Sequence, residues 1–123
     1  MDDTDLKRYL SERKTSSFKE TLFSLITKYK LTDVEVYKMA ALDRKLFSKI
    51  RCNRDYVPKK SNVIKLGLAL NLDKTEFDTL LKSAGYSLSS SSFDSIIAYC
   101  FENKVYDTNL VNNYLYSYCE TTL

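Results

Sequence analysis

The sequence predicts an all-α protein, and two observations support that prediction. The 123 residues include only 2 glycines and 1 proline, whereas average usage gives roughly 9 and 6 in a chain of this length. Apolar residues also recur every three or four positions along most of the chain, which is the spacing of amphipathic helices. Barrels, sandwiches and sheets with glycine-rich turns are therefore not expected.

Helix-start signals divide the chain into elements. A Ser, Thr or Asp followed three positions later by Glu forms a capping box, in which each side chain satisfies a backbone N–H group of the other. Three such pairs precede a run of apolar residues at helical spacing, at Ser17–Glu20, Thr32–Glu35 and Asp73–Glu76. After a short polar segment at 4–14, the helices predicted ahead of the third pair cover 17–30, 33–40, 44–51 and 60–70.

The rest of the chain is predicted from its glycines and later caps. Gly67 falls inside a predicted helix, where glycine costs about 1 kcal/mol relative to alanine, and close helix packing is the expected reason. Gly85 is placed as the left-handed cap that ends the helix after the third capping box. A serine-rich linker at 87–92 precedes two tail helices, which we expect Ser92 and Asp107 to cap.

Length and composition are those of a single globular domain. Apolar side chains make up 44% and charged ones 28% of the chain, so a core can form without a disulfide or metal. Three cysteines, with neither a close pair nor a metal-binding spacing, and an acidic start without a signal peptide favour a reducing, cytoplasmic compartment. Apolar stretches are far shorter than about 20 residues, so no membrane contact is expected.

Several enzyme classes are not expected either. The chain lacks histidine, which removes most zinc enzymes and His-dependent acid–base or nucleophilic chemistry. Gly67 and Gly85 stand too far apart to form a phosphate-cradling loop. Because the acidic residues mostly serve as caps, the sequence predicts a non-enzymatic protein with no catalytic residues, no cofactor and no metal site.

Basic residues concentrate in the first half of the chain. Residues 1–65 contain 16 basic and 9 acidic side chains, a net charge of +7, and residues 66–123 contain 3 and 7, a net charge of −4. Nine of the basic residues lie between positions 38 and 65, against two acidic ones. Such clustering is typical of a polyanion-binding surface, and a solvated basic face without a ligand is the alternative.

The segment 32–50 carries a resemblance to a known family. Its residues, Thr-Asp-Val-Glu-Val-Tyr-Lys-Met-Ala-Ala-Leu-Asp-Arg-Lys-Leu-Phe-Ser-Lys-Ile, resemble the helix-turn-helix of lambda-repressor-like (XRE-type) DNA-binding domains, Thr-Gln-x-x-Leu-Ala-x-x-x-Gly-Val-Ser-x-x-x-Ile-Ser-x-Ile. Val36 takes the place of the family's Leu, Leu42 that of the buried turn residue, and Asp43 that of the Ser cap. The resemblance covers about 16–86.

The resemblance implies a division of the chain into three parts. The expected parts are a polar N-terminal arm or short helix over 1–15, a five-helix lambda-repressor-like core over 16–86, and a two-helix extension over 87–123, packed on the core or on a second subunit. The stretch Leu-Asp-Arg-Lys-Leu-Phe-Ser-Lys-Ile-Arg at 42–51 is also similar to small bacterial helix-turn-helix modules, which occur alone or fused to larger proteins.

Three positions depart from the family pattern. Asp33 stands where the family commonly has Gln or Arg, and its carboxylate would repel a phosphate. Tyr37 replaces the small Ala between the two helices, and Ala41 replaces the turn glycine, where a left-handed backbone would be mildly strained.

The resemblance further implies a DNA-binding protein, expected to be a dimeric transcriptional regulator of bacterial or phage type that inserts helix 44–51 into the major groove of double-stranded DNA. Arg44 suits a bidentate guanine contact. The backbone N–H groups at the start of the helix over 60–70 suit one more phosphate. The expected DNA-contact residues are Lys38, Arg44, Lys45, Ser48, Lys49, Arg51, Arg54, Lys59 and Lys60.

The tail supports a second hypothesis. Five tyrosines crowd into it, at positions 99, 106, 114, 116 and 118, and aromatic side chains with few charges are typical of protein interfaces. These helices either cap the core of their own chain or form a homodimer. The alternative function is therefore a protein-interaction module, an adaptor or inhibitor that docks on a protein partner without sequence-specific DNA binding.

Overall fold

The computed structural model describes the backbone of residues 3–13 and 17–123, which form eight helices and no strand. The all-α prediction is confirmed, and each helix predicted with bounds lies within two residues of its observed bounds. The helices are α1 (Asp3–Arg13), α2 (Phe18–Lys28), α3 (Asp33–Met39), α4 (Arg44–Cys52), α5 (Lys60–Ala69), α6 (Lys74–Ser83), α7 (Ser92–Glu102) and α8 (Thr108–Cys119). Within these ranges no helix is long and apolar enough to cross a membrane.

The N-terminal arm contains α1, whose described side chains, those of residues 3–8, are all exposed. Leu6 is 57% exposed, so it does not contribute to the core. Residues 1, 2, 14 and 15 of the predicted arm lie outside the described part of the chain.

Side-chain caps begin most of the helices as predicted. The capping boxes at Thr32–Glu35 and Asp73–Glu76 are both complete, with a hydrogen bond in each direction. Single caps, each accepting the backbone N–H two residues on, begin α4 and α8 at Asp43 and Asp107. These contacts are local, which is why the sequence alone locates them.

Two predicted caps differ from the observed ones. Ser17 accepts the backbone N–H of Glu20 at 3.2 Å. The Glu20 carboxylate forms an ion pair with Arg54, so the return hydrogen bond of a complete capping box is not formed. The cap of α7 is Ser91 and not Ser92, because the Ser91 hydroxyl accepts the backbone N–H three residues on. In a run of serines the capping pattern fits more than one register.

Five helices end in the same backbone motif. After α2, α3, α5, α6 and α7 the chain passes through a residue with positive φ, and the next residue donates its N–H to the carbonyl five positions earlier, as in a Schellman motif. The positive-φ residues are Lys30, Ala41, Asn71, Gly85 and Lys104. The predicted glycine cap is thus confirmed at Gly85, while the other four helices turn without glycine.

One buried cluster contains residues from α2 through α8. The Phe77 ring of α6 stacks on the Phe101 ring of α7, with centroids 3.7 Å apart and planes 6° apart. A Cβ atom at Gly67 would lie 2.7 Å from Phe77 Cδ1 and 3.0 Å from Phe101 Cζ. The close approach expected at Gly67 is confirmed, and the extension packs against the core of its own chain.

A largely buried ion pair ties α5 to α7. Asp94 is 4% exposed, and its Oδ2 accepts hydrogen bonds from Lys60 Nζ at 2.7 Å and from Ser89 N and Oγ at 2.8 and 2.9 Å. Burial raises the pKa of Asp94, but the hydrogen bonds from Lys60 and Ser89 outweigh burial, and the net effect lowers the pKa from its ordinary 3.8. The carboxylate therefore stays ionised and fixes the serine linker to the core.

Candidate nucleic-acid interface

The candidate site is built on α3, α4 and the turn between them. The turn places Ala41 at a φ of 54° and buries Leu42 against the core. Tyr37 is half-buried and packs its ring 5.8 Å from that of Phe47, centroid to centroid. The two replacements of the family pattern are thus accommodated, Tyr37 by packing on α4 and Ala41 by adopting the left-handed conformation expected of it.

The outer face of α4 is basic. Phe47 and Ile50 are buried, which turns the opposite side of the helix to solvent. At about 100° per residue, Lys45 points most directly away from the core, and Ser48 and Lys49 lie on either side of it. The exposed residues of this face include Arg44, Lys45, Ser48 and Lys49, and among the described residues no carboxylate pairs with these three cations.

Arg51 is held by two other helices. Its Nε donates to Asp33 Oδ2 at 2.6 Å, and its Cζ lies 4.7 Å from the centroid of the Phe23 ring. The hydrogen bond with Asp33 raises the pKa of Arg51 from its already high ordinary value. Asp33, at the first position of α3, therefore contacts the last turn of α4 within the chain.

The other predicted contact residues fall into two groups. Lys38 and Lys59 are exposed without an ion pair in the described ranges, and Lys59 caps α5 without a side-chain hydrogen bond. Arg54 Nη2 lies 2.8 Å from Glu20 Oε1, and Lys60 is committed to the ion pair with α7 described above. Lys60 thus has a structural role that the sequence did not indicate, because its partner is 34 positions away.

A groove of about 420 Å³ separates α3 from α4. Its walls combine two arginines, one carboxylate, hydroxyl groups and apolar surface, from Asp33, Val34, Tyr37, Arg44, Phe47, Ser48 and Arg51. Sequence reasoning predicted Arg44, Ser48 and Arg51 as contact residues but not the groove that they share with Asp33, because the groove depends on how the two helices pack.

A second groove, also of about 420 Å³, lies between α7 and α8. Its lining residues carry no formal charge and are Ser95, Ile96, Tyr99, Tyr114 and Tyr118. Tyr99 is 54% and Tyr118 78% exposed, whereas the Tyr106 hydroxyl is turned inward and donates to the Leu72 carbonyl at 2.7 Å. The predicted aromatic tail therefore serves both the core and the surface.

Neither groove suggests a metal centre, and over the described residues no group of three or more Cys, Asp or Glu side chains could hold a metal ion. Comparisons with known proteins add no relative: no family model, curated protein or solved structure matches the chain.

Proposed function

We propose that the protein binds double-stranded DNA by inserting α4 into the major groove, and that it acts in this way as a transcriptional regulator. The observation that carries the proposal is the outer face of α4, where Arg44, Lys45 and Lys49 are exposed and have no acidic partner in the described part of the chain. Cations that no intramolecular carboxylate neutralises are available to a polyanion.

The dimensions and chemistry of α4 suit the major groove. An α-helix with its side chains is about 10–12 Å across, and the groove is about 12 Å wide. Lys45, which points most directly outward, suits a contact with base edges. Arg44 at the first turn suits a guanine or a phosphate, and Lys49 suits a phosphate.

The test is fluorescence anisotropy with a random-sequence DNA duplex at about 50 and 200 mM salt. We expect micromolar or tighter binding at the lower salt concentration, weakened about 10³-fold at the higher one if six or more phosphates are contacted. The variant Arg44→Ala/Lys49→Ala is expected to lose at least about 10-fold in affinity, because two cations leave the contact face.

A matched control removes two positive charges elsewhere. Lys82→Ala/Lys104→Asn changes the net charge by the same amount on exposed residues outside α4, and Asn keeps the left-handed conformation of Lys104 accessible. We expect this control to bind nearly as well as the wild type. Equal losses of affinity in the two variants would mean that net charge alone, and not the position of the cations on α4, accounts for binding. No binding by the wild type at about 50 mM salt would refute the proposal.

A second candidate function rests on the groove between α7 and α8. Its exposed tyrosines and uncharged lining are features of a protein interface, so docking of a protein partner, a second copy included, is the alternative. Sedimentation equilibrium of the purified chain tests the second copy. The homodimer predicts concentration-dependent dimers that are insensitive to salt and abolished by Tyr99→Lys/Tyr118→Lys.

A further inference from the structure

The groove between α3 and α4 has an acidic residue where a DNA-binding surface is expected to be basic. Asp33 lies in its wall, beside a helix that we propose to contact DNA, and a carboxylate that faces a phosphate weakens binding. However, the Asp33 carboxylate is already engaged by Arg51 at 2.6 Å. Its negative charge is thus compensated within the chain, and its effect depends on what it does to Arg51.

Two contacts restrain the Arg51 guanidinium and leave part of it open. Asp33 takes the Nε–H at one edge, and the Phe23 ring covers one face. A guanidinium carries five N–H donors in a rigid fork, and the four on its two Nη atoms have no hydrogen-bond acceptor among the described residues. The Arg51 side chain is 55% exposed, so an external acceptor can reach them.

Arg44 and Ser48 extend this arrangement along α4. Positions 44, 48 and 51 are separated by four and three residues, so their side chains form one stripe on the helix, and all three line the groove. Arg44 has no ion pair among the described residues. The groove therefore offers an oriented guanidinium, a second guanidinium and a hydroxyl group, with a formal charge of +1 after Asp33 is counted.

We propose that this groove binds one phosphodiester of the DNA backbone between Arg44 and Arg51, and that Asp33 is a positioning residue that holds Arg51 in place for that contact. The inference rests on the proposed DNA binding and refines it. A flexible arginine loses side-chain freedom when it binds a phosphate. Contacts that restrain Arg51 before binding reduce that loss, which makes Asp33 favourable to binding despite its charge.

The direction in which Asp33→Ala changes the affinity for DNA tests the proposal. Asp33→Ala is expected to weaken binding to the random duplex about 3- to 10-fold, the range for one hydrogen bond, although it removes a negative charge. Arg51→Ala is expected to make the negative slope of log K against log salt less steep by about 0.9, the value for one lost phosphate contact. In the Arg51→Ala background, Asp33→Ala should no longer weaken binding.

A matched control and a conservative variant separate positioning from structural damage. Glu20→Ala removes the carboxylate that pairs with Arg54, outside the groove, and is expected to leave binding unchanged or slightly tighter. Asp33→Glu retains a carboxylate within reach of Arg51, and we expect it to recover part of the affinity lost in Asp33→Ala. Thermal unfolding of every variant establishes that it is folded, and Asp33→Asn replaces Asp33→Ala should the latter not fold.

The outcomes distinguish the two proposals. Wild-type binding with unchanged or tighter binding by Asp33→Ala would overturn the positioning role and leave the DNA-binding proposal standing. An unchanged salt slope in Arg51→Ala would overturn the phosphodiester site in the same way. No binding by the wild type would overturn both proposals.

Discussion

At the scale of single residues, Gly67 has no room for a side chain. A methyl group there would lie 2.7 Å from Phe77 Cδ1, closer than nonbonded carbon atoms approach, and the stacked ring of Phe101 prevents Phe77 from moving away freely. We expect Gly67→Ala to lower the free energy of unfolding by about 1–3 kcal/mol, although alanine is the better helix former. Chemical denaturation measures the change.

The control is the other glycine. Nothing lies within 4 Å of a Cβ atom built on Gly85, whose φ is +83°, and asparagine tolerates positive φ better than most residues. Gly85→Asn is thus expected to cost less than about 1 kcal/mol. A Gly67→Ala variant as stable as the wild type would show that the stacked rings can shift without a loss in the free energy of unfolding.

Asp94 makes stability depend on pH. Its pKa is lowered in the folded state, so its contribution is present above the ordinary pKa of 3.8 and is lost as pH falls through the lower, folded value. We expect the free energy of unfolding to fall more between about pH 5 and pH 3 in the wild type than in Asp94→Asn. Asp78→Asn, which removes the exposed partner of Lys74, should keep the wild-type dependence; equal slopes in all three proteins would contradict the prediction.

Three of the predicted DNA-contact residues form ion pairs that the sequence does not indicate. Arg51, Arg54 and Lys60 were all predicted as DNA contacts, yet each has a carboxylate partner 18 or 34 positions away. Charge counts along the chain indicate that a region is basic. They do not indicate which cations are paired, because pairing depends on how distant helices pack.

At the scale of elements, the left-handed turn after α3 carries a strain that can be removed. Ala41 has a φ of 54°, a conformation that costs roughly 1–2 kcal/mol for a residue with a Cβ atom. We expect Ala41→Gly to raise the free energy of unfolding by up to about 1 kcal/mol, since the added freedom of the unfolded chain offsets part of the gain. Thermal and urea unfolding measure it.

An alanine-to-glycine substitution inside a helix should change the free energy of unfolding in the opposite direction. Ala98 lies within α7, and Ala98→Gly is expected to lower stability by about 1 kcal/mol. Destabilisation by both substitutions would indicate that Ala41 is not strained in solution.

Helix starts and helix ends differ in how well the sequence predicts them. The caps at Thr32 and Asp73 are side-chain contacts over three residues, and the residue types at that spacing indicated them in the sequence. The ends of α2, α5 and α7 pass through Lys30, Asn71 and Lys104 at positive φ. Asparagine is favoured in that conformation and lysine is not, so the ends of α2 and α7 follow from backbone hydrogen bonds and the partial burial of the next residue.

At the scale of the whole molecule, the extension is part of the core. Phe101, Ile97, Val111 and Leu115 are buried in the same cluster as the residues of α2–α6. A chain that ends after residue 86 would expose the stacked face of Phe77 and leave Lys60 without Asp94. We expect this truncated chain to lose cooperative thermal unfolding, followed by circular dichroism; a sharp transition close to that of the full chain would mean that 16–86 folds independently.

The general architecture followed from the sequence more readily than the site did. Scarce glycine and helical spacing predicted an all-α chain, and the buried cluster extends across α2–α8. The groove between α3 and α4 could not be predicted, since it joins Asp33 and Arg51 through packing. DNA binding itself stays a prediction, because the arrangement of charges at the surface permits a function without specifying it.

Two of the five left-handed helix ends connect the helices of the candidate DNA-binding surface to one another. At the joints α2–α3 and α3–α4 the residue after the turn, Leu31 or Leu42, donates its N–H back to the preceding helix and packs on or within the core, which restrains both joints. In the proposed complex with DNA, we expect the unit from α2 to α4 to keep the angle between its helices. Adjustment then falls to the duplex, and sequences that bend or widen their groove at low energetic cost should bind best, even at base pairs that no side chain touches.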